Sequence, residues 1–192
     1  MNGPRRRIPS HVVGFDDGSF ARSHRGDVLL VGAVFSGLRL EGVLSARVRR
    51  DGVNSTSRIV EVVRASRFRP HLQALLLQGI AFGGFNVVDL DGLHRALGLP
   101  VLVVCRRKPD LELIRSALLR RVPGGARKWR LIQRAGPMEA MGPLYVQRRG
   151  IDLADAAALL ERLAVHSALP EPLRTAHLIA AGVTAGESRQ RA

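Results

Sequence analysis

The chain has 192 residues, enough to bury the core of one domain, and its apolar content of 46% and charged content of 24% are ordinary for a globular protein. Its formal charge of +14 at pH 7 is unusual, because a field of that size attracts polyanions such as nucleic acid. Cys105 is the single cysteine, which excludes an intramolecular disulfide and a cysteine-based zinc site.

The first ten residues are rich in Pro and Arg, and we expect residues 1–10 to form a basic flexible arm. This segment lacks the apolar stretch of a signal peptide, and no apolar run elsewhere approaches the roughly 20 residues that span a bilayer. The protein is therefore expected in the cytoplasm, with no membrane partner.

Three apolar runs predict three consecutive β-strands. The runs His11–Phe15 and Asp27–Ser36 are continuously apolar, whereas Leu38–Arg49 alternates with period two. The turn sequences Asp16-Asp17-Gly18 and Asp51-Gly52 follow the first and third runs. Short turns between such strands predict an antiparallel meander.

The next part of the chain alternates between helical and strand patterns. Asn54–Ser66 carries apolar residues at helical spacing, and Val87–Leu97 shows the same periodicity before Gly98. The runs Leu72–Leu77 and Val101–Cys105 are apolar on both faces, which predicts strands in covered, central positions of a sheet.

The last third of the chain is predicted to be mainly helical. Asp110–Arg121 has the pattern of a basic amphipathic helix, and two further helices begin at Asp152 and Pro170. The short apolar runs Trp129–Gln133 and Leu144–Gln147 lie between Gly and Pro residues, and we expect edge strands there.

This order of elements predicts the α/β class, with a ribonuclease-H-like mixed sheet flanked by helices: three antiparallel strands, then alternating helices and strands. We expect residues 11–185 to form this single domain and residues 186–192 a frayed tail. In such a sheet, carboxylates on the first strand and at the tip of the fourth can hold two divalent ions for phosphodiester hydrolysis.

The positive charge is concentrated in residues 101–150, which contain twelve basic and three acidic residues. Arg106, Arg107 and Lys108 directly follow a predicted strand, and we expect them to contact a nucleic-acid backbone. Arginine suits this task because its guanidinium binds phosphate through two hydrogen bonds. Arg174 is a further candidate for phosphate binding, or else it pairs with Glu171 one helical turn back.

Three motifs together resemble one protein family. They are Gly14-Phe15-Asp16-Asp17-Gly18, the run Gln78–Asn86 (QGIAFGGFN) with its continuation to Val101, and Leu169–His177 (LPEPLRTAH). The chain resembles a mostly archaeal family, first defined as a domain of unknown function and now named endonuclease dU, which is related to endonuclease V. The resemblance extends from about His11 to Gly182.

The resemblance implies a Mg²⁺- or Mn²⁺-dependent endonuclease that nicks DNA near a deaminated base, uracil or hypoxanthine. The first-strand acid of endonuclease V corresponds to Asp16, which the resemblance makes a metal ligand and catalytic residue. His177 stands at the position that follows LPEPLR-x-A, where this wider group has Asp or His, and is the second catalytic candidate. Asp17 is a third.

One position departs from the family pattern. The acid that begins the family's second motif is replaced here by Gln78, whose amide ligates a hard cation weakly and cannot act as a base. The glutamate of endonuclease V has no clear counterpart, and Asp51 and Glu61 flank its expected place.

Two hypotheses therefore follow from the sequence. In the first, the protein is an active metal-dependent endonuclease. In the second, it is a relative that binds nucleic acid but has lost turnover because of Gln78.

Overall fold

A mixed sheet of seven strands organises residues 8–188, the part of the chain that the computed structural model describes. The strands run in the spatial order β3-β2-β1-β4-β7-β9-β8, and β5 and β6 form a separate small hairpin. The strands are β1 (His11–Asp17), β2 (Asp27–Ser36), β3 (Arg39–Arg49), β4 (Ala74–Gln78), β5 (Ala81–Phe82), β6 (Asn86–Val87), β7 (Val101–Cys105), β8 (Glu139–Met141) and β9 (Leu144–Arg149). The helices are α1 (Ser55–Ala65), α2 (Leu90–Leu97), α3 (Leu111–Arg121), α4 (Gly125–Ala135), α5 (Leu153–Leu163) and α6 (Glu171–Ala185).

The pairing of β1 and β4 brings the two predicted strand tips together. β1 pairs antiparallel with β2 and parallel with β4, where Phe15 lies opposite Leu77. β4 in turn pairs parallel with β7, where Gln78 lies opposite Val104. The carboxyl ends of β1, β4 and β7 therefore meet at one edge of the sheet, the edge where ligands bind in open α/β proteins.

Each face of the sheet is covered by its own set of helices. On one face, apolar side chains that include Val13 and Phe15 of β1 pack with α1 and α2. On the other face, Val12 of β1 packs with α5 and the start of α6. Because successive side chains of a strand point to opposite faces, Asp16 faces α6 and Asp17 faces the side of α1 and α2.

A glycine in β1 permits an unusually close approach of α6. A Cβ atom at Gly14 would lie 2.5 Å from the backbone carbon of Pro172 and 2.7 Å from the backbone nitrogen of Leu173. No side chain fits in that space, so the first turn of α6 rests directly on the strand backbone. The glycine of the first motif and the PEPL sequence of the third are thus two sides of one contact.

Two predicted elements differ in the structure. Trp129–Gln133 is part of α4, because Lys128, Ile132 and Ala135 are buried at helical spacing and the preceding Gly124 adopts a left-handed conformation that begins the helix. The predicted helix Val87–Leu97 begins only at Leu90.

The late start of α2 has a local cause. Val87 pairs with Ala81 in the β5–β6 hairpin, and the side chain of Asp89 caps the helix by accepting a hydrogen bond from the backbone N–H of Gly92.

The two chain termini fall partly outside the described residues. Of the predicted arm over residues 1–10, only the last three residues are described: Ile8 packs against the apolar cluster under α5, and the carbonyl of Pro9 accepts a hydrogen bond from Arg162. At the other end, α6 stops at Ala185. Within residues 8–188, no helix is long and apolar enough to cross a membrane.

Candidate active site at the ends of β1 and β4

Buried Asp16 and partly buried His177 form a hydrogen-bonded pair at this edge of the sheet. Oδ2 of Asp16 lies 2.7 Å from Nδ1 of His177, and Asp16 is only 5% exposed. The pair forms because Gly14 lets α6 sit against β1, and His177 lies one helical turn beyond Leu173 on the face that meets the strand. The structure thus brings together the two strongest sequence candidates, which lie 161 residues apart.

This pair holds a proton more tightly than either residue would alone. Burial raises the pKa of Asp16, although its hydrogen bond to His177 opposes the shift. The same hydrogen bond raises the pKa of His177, against the effect of burial. The two pKa shifts have the same direction, and the shared hydrogen bond couples the two titrations.

Gln78 occupies the same face of the sheet as Asp16. The two residues lie one step beyond the parallel pair of Phe15 and Leu77, and paired residues of parallel strands point the same way. Oε1 of Gln78 and Nε2 of His177 are both buried without a hydrogen-bond partner in the described structure. A buried polar atom without a partner is costly, so each of these two atoms is a candidate contact for a ligand.

Next to Gln78 lies a cleft with a volume of about 690 Å³, which we call the polar cleft. Its lining includes Gln78, Gly79, Arg106, Arg107 and Leu169. The positive charge of Arg106 acts on both members of the pair, where it partly opposes the upward pKa shifts of Asp16 and of His177. The basic run after β7, predicted to bind nucleic acid, therefore lies at the mouth of the site, with its third member Lys108 also exposed.

Asp17 belongs to the opposite face of the sheet. Its Oδ2 accepts a hydrogen bond of 2.6 Å from the backbone N–H of Gly83, at the tip of the β5–β6 hairpin. Burial raises the pKa of Asp17 to about 6. This carboxylate is engaged in holding the glycine loop, and it lies close enough to Asp16 and His177 for their charges to act on it.

The two candidates for a further acid also have other partners. Oδ1 of Asp51 accepts a hydrogen bond from the backbone N–H of Phe85, so it secures the same glycine loop as Asp17. Glu61 lies on α1 and forms an ion pair with Arg58. The residues alone do not distinguish these two candidates, and in the structure each contacts a partner other than His177.

Arg174 makes the ion pair that the helical spacing allowed. Its Nη1 lies 3.2 Å from Oε2 of Glu171, a carboxylate that is itself buried and also contacts His166. This cluster fixes the start of α6 next to Leu169, which lines the polar cleft. Arg174 therefore has a structural partner in addition to its predicted role in phosphate binding.

Metal donors at the site are sparse. Within residues 8–188, no group of three or more His, Cys, Asp or Glu side chains is arranged to hold a metal ion. The donors present are the Asp16 carboxylate and the unpartnered amide oxygen of Gln78. Mg²⁺ keeps several waters and is commonly held by one or two carboxylates plus substrate phosphates. This donor set fits a hydrated ion that shares its coordination with nucleic acid, and does not fit an ion enclosed by protein.

Two contributors to the site lacked a clear signal in the sequence. Gly14 was visible as part of a motif, but only the approach of α6 explains why a side chain is excluded there. The residues after Gln78 carry no strand pattern, and only the structure shows that they form a hairpin with its tip at Gly83 and Gly84. Both glycines have positive φ angles, a conformation that glycine adopts at little cost. This backbone requirement explains the two consecutive glycines in the motif.

Comparison with known proteins gives matches over almost the whole chain. Residues 9–184 match the family model described as endonuclease dU. A UPF0215 protein of Deinococcus radiodurans is 59% identical over 179 residues, which cover 93% of this chain and 91% of the relative. A UPF0215 protein of Methanothermobacter thermautotrophicus is 47% identical over 190 residues, which cover 96% and 93%.

Solved structures give the same fold. A protein of unknown function from Archaeoglobus fulgidus has a TM-score of 0.84 at 34% identity, covering 90% of this chain and 97% of that chain. Endonuclease V of Ciona intestinalis, in complex with a 24-mer DNA containing an inosine, has a TM-score of 0.55 at 14% identity, covering 88% and 82%. Human endonuclease V has a TM-score of 0.54 at 20% identity, covering 90% and 83%. The predicted ribonuclease-H-like fold is therefore confirmed.

Proposed function

The chain belongs to the endonuclease dU family, and from this premise we propose that it is a metal-dependent endonuclease that hydrolyses a phosphodiester near a deaminated base, uracil or hypoxanthine, in DNA. The family and the endonuclease V fold support a nuclease-like function. The inosine-containing DNA bound by the Ciona enzyme supports nucleic acid as the ligand class. The lesion and the metal are our inference.

One observation carries the proposal: on the face of the sheet that carries the Asp16–His177 pair, Nε2 of His177 and Oε1 of Gln78 are buried without partners in the described structure, and Gln78 lines an arginine-lined cleft. A purely structural ion pair would not need an amide oxygen at Gln78 and a ring nitrogen of His177 buried without partners. A phosphate with its water and cation would supply both. The positive rim of Arg106 and Arg107 favours an anionic ligand over a neutral one.

The residues of the chain have distinct roles in this proposal. Hydrolysis forms a bond from a water oxygen to phosphorus and breaks one phosphorus–oxygen ester bond, so one proton leaves the water and one reaches the leaving oxygen. Nε2 of His177 would take or give that proton, since its other ring nitrogen is bound to Asp16. Arg106, Arg107 and Lys108 hold the backbone.

Asp16 and Gln78 are the residues that would hold Mg²⁺ or Mn²⁺. When bound, the ion would polarise the phosphoryl oxygens and lower the pKa of a bound water. Gln78 supplies a neutral oxygen, so Asp16 provides the only protein charge among these two donors.

A second function is favoured by the same residue. An amide at position 78 brings no negative charge to the cation, and the residues described include no cluster of three metal-binding side chains. The alternative is a relative that binds nucleic acid through the same basic cleft and does not cut it.

A nicking assay on duplexes with a single uracil or hypoxanthine distinguishes the two functions. The natural protein is assayed with Mg²⁺ or Mn²⁺ beside Asp16→Asn and Gln78→Asp. We expect nicking by the natural protein that EDTA and Asp16→Asn abolish. Salt-sensitive binding without nicking by the natural protein, together with nicking by Gln78→Asp, would establish the alternative instead.

A further inference from the structure

A second basic surface lies at the edge of the sheet that holds Asp16, on the side of β2 and β3. Its members are four exposed arginines, two in the loop that joins β1 to β2 and two at the end of β3, namely Arg22, Arg25, Arg47 and Arg49. The loop, residues 18–26, contains no acidic residue. The function proposed above makes no use of this surface.

Arg50 holds the loop between β1 and β2 in a defined shape. Its Nη1 donates hydrogen bonds to the backbone carbonyl of Arg22, at 2.7 Å, and to that of His24. Its guanidinium carbon lies 5.6 Å from the centre of the Phe20 ring. Because Arg50 binds the loop through main-chain carbonyls, the side chains of Arg22 and Arg25 are left exposed on the surface.

The strand register places Arg47 and Arg49 on the face of the sheet that carries Asp16. Asp16 lies opposite Val31, and Arg47 lies opposite Leu29. Val31 and Leu29 both pack in the apolar cluster beneath α6, so they point to the same face. Residues that lie opposite one another in a ladder share a face, and so do residues two apart in a strand. Arg47 and Arg49 therefore point to the same side of the sheet as Asp16.

Most of the charge of the second basic surface is not neutralised within the protein. Nε of Arg49 lies 3.5 Å from Oδ1 of Asp27 in an exposed ion pair. The side chains of Arg22, Arg25 and Arg47 form no ion pair with any of residues 8–188. Positive side chains gathered without counter-charges attract an anionic partner, and a guanidinium binds phosphate through two hydrogen bonds.

The order of the strands relates this surface to the proposed active site. β1 is two strands away from β3 on one side and two strands away from β7 on the other. With about 4.8 Å between neighbouring strands, each of these outer strands lies roughly 10 Å from β1. That distance corresponds to roughly three successive phosphates of one DNA strand. A duplex bound at Asp16 would therefore reach the basic run after β7 on one side and the second basic surface on the other.

Other anionic or protein partners fit this surface less well. Membrane binding needs apolar groups that enter the bilayer, in addition to positive charge. Residues 18–26 offer one large apolar side chain, Phe20, which is half-buried and faces the guanidinium of Arg50. A second copy of the chain would bring the same positive charge to the surface and would be repelled. A nucleic-acid backbone requires only phosphate contacts.

We propose that the second basic surface binds the phosphate backbone on one side of the position held at Asp16, so that a substrate must extend at least roughly three base pairs to that side. The proposal rests on nucleic acid being the ligand of the proposed active site. It goes beyond that function because it assigns a binding role to residues outside the site and a minimum length to the ligand. It does not require that the strand be cut.

The salt dependence of binding tests the phosphate contacts directly. The full-length protein is titrated in EDTA, so that no cleavage occurs, with a labelled duplex that extends about ten base pairs, one helical turn, on each side of a single uracil. Arg22→Gln and Arg47→Gln should each weaken binding and make the slope of log K against log salt less steep by about 0.9, the value for one phosphate contact. Arg95→Gln is the matched control, because Arg95 is exposed on α2, near the amino ends of the parallel strands.

Truncated duplexes then locate the contact. Two further duplexes keep one long arm and end about two base pairs from the uracil on the other side, one duplex for each side, which is shorter than the roughly three phosphates between β1 and β3. With one of them, Arg22→Gln and the natural protein should bind equally, because the phosphates that Arg22 contacts are missing. With the other, the loss caused by Arg22→Gln should persist. Arg107→Gln should show the opposite dependence on the two duplexes, since Arg107 follows β7.

Each remaining outcome has a defined meaning, once thermal unfolding shows that the variants are folded. If Arg22→Gln and Arg47→Gln keep the natural affinity and salt slope, these arginines are only solvated and the proposal is wrong. If Arg22→Gln weakens both truncated duplexes equally, its charge acts without a defined contact and the proposal is wrong. Loss of binding to phosphatidylserine vesicles, with duplex binding unchanged, would show a membrane surface and overturn it as well. Duplex binding through this surface by a protein that does not nick would support the proposal and contradict the endonuclease function.

Discussion

His177 Nδ1 and Asp16 Oδ2 lie 2.7 Å apart, and this contact joins the last helix of the domain to its first strand. The hydrogen bond fixes one ring nitrogen of His177 and leaves Nε2 buried without a hydrogen-bond partner among residues 8–188. The carboxylate thus orients the imidazole while it stands next to Gln78 at the cation position proposed above. Because Asp16 is proposed both to orient His177 and to hold a cation, substitutions of Asp16 and of His177 should have different effects.

Asp16→Asn should leave the protein folded but inactive. An asparagine oxygen can still accept a hydrogen bond from His177, so the packing of α6 on β1 is retained. The negative charge is lost, and nicking should fall by at least roughly a hundredfold. Denaturant unfolding and the nicking assay measure the two effects separately.

His177→Ala provides the comparison. It leaves the buried Asp16 without its partner, and we expect a loss of about 3 kcal/mol of unfolding free energy in addition to the loss of nicking. If Asp16→Asn proved as destabilising as His177→Ala, the pair would be mainly a structural contact.

Gly14→Ala should disrupt the packing of α6 against β1. The added Cβ would stand 2.5 Å from the Pro172 backbone, which is not a flexible group that can move aside. We expect a loss of about 2–3 kcal/mol of unfolding free energy, the upper part of the range for overpacked sites.

The control for this substitution lies on the same helix. Gly182 has no atom near the position of an added Cβ, so Gly182→Ala should stabilise α6 by about 0.5–1 kcal/mol. Urea denaturation measures both variants. An unfolding midpoint for Gly14→Ala at or above that of the natural protein would contradict the close approach of α6.

The sequence predicts an element correctly when the residues of that element themselves determine its structure. The prediction of a covered strand at Leu72–Leu77 was correct, because its continuous apolar residues indicate burial on both faces. Trp129–Gln133 was predicted wrongly as a strand, because the buried positions that define α4 include Lys128, whose burial no local pattern indicates.

The candidate site divides in the same way. Asp16 and His177 were predicted from the family resemblance, and the structure places them in contact. That Asp17 points to the other face follows from strand alternation and was accessible from the sequence. The hydrogen bonds of Asp17 and Asp51 to one glycine loop could not be predicted from the sequence. They depend on how the β5–β6 hairpin packs over β1 and the end of β3.

Lys128→Arg should be destabilising although the chain otherwise uses arginine for almost all its positive charge. Lys128 is 1% exposed, and its Nζ donates a hydrogen bond to the carbonyl of Asp51, at the base of the glycine loop. Burial lowers the pKa of its ammonium group. A guanidinium is larger and planar, so it should cost about 1–3 kcal/mol of unfolding free energy at this site.

Lys108→Arg is the matched control, because Lys108 is the only other lysine and is exposed. Its unfolding midpoint should not change. Equal midpoints for the two variants would show that the space around Lys128 accepts a guanidinium.

Asp91→Asn should weaken the protein at neutral pH and have no effect in acid. Burial opposes ionisation of Asp91, but hydrogen bonds and charges from Arg149 and Arg134 outweigh it and hold the pKa below its ordinary value of 3.8. A lowered pKa in the folded state contributes stability above the unfolded value, which is lost as the pH falls through the folded value. We expect a difference of about 1 kcal/mol at pH 7, shrinking below about pH 4.

Thermal unfolding of both proteins between pH 2 and pH 7 measures this difference. Asp155→Asn is the control, since it also removes a carboxylate from a first helical turn but breaks no ion pair among residues 8–188. A difference for Asp91→Asn that stayed constant with pH would show that the ion pairs with Arg149 and Arg134 contribute nothing.

Gln78→Asp should strengthen cation binding but lower the stability of the metal-free protein. A second carboxylate beside the buried Asp16 repels it, so without metal the variant should unfold at a lower temperature than the natural protein. Mg²⁺ binds the folded state and should restore stability by mass action, about 2.7 kcal/mol when its concentration is a hundred times the dissociation constant. Thermal unfolding across a Mg²⁺ series, with EDTA as the zero point, measures this gain without any DNA.

The double variant Asp16→Asn with Gln78→Asp decides whether the two positions act together. It removes the repulsion, so it should be more stable than Gln78→Asp in EDTA, and it should lose most of the gain from Mg²⁺ because only one carboxylate remains. If Gln78→Asp and the natural protein responded to Mg²⁺ equally, the amide would not be what limits cation binding. The role proposed for Gln78 beside Asp16 would then have to be abandoned, whatever the nicking assay shows.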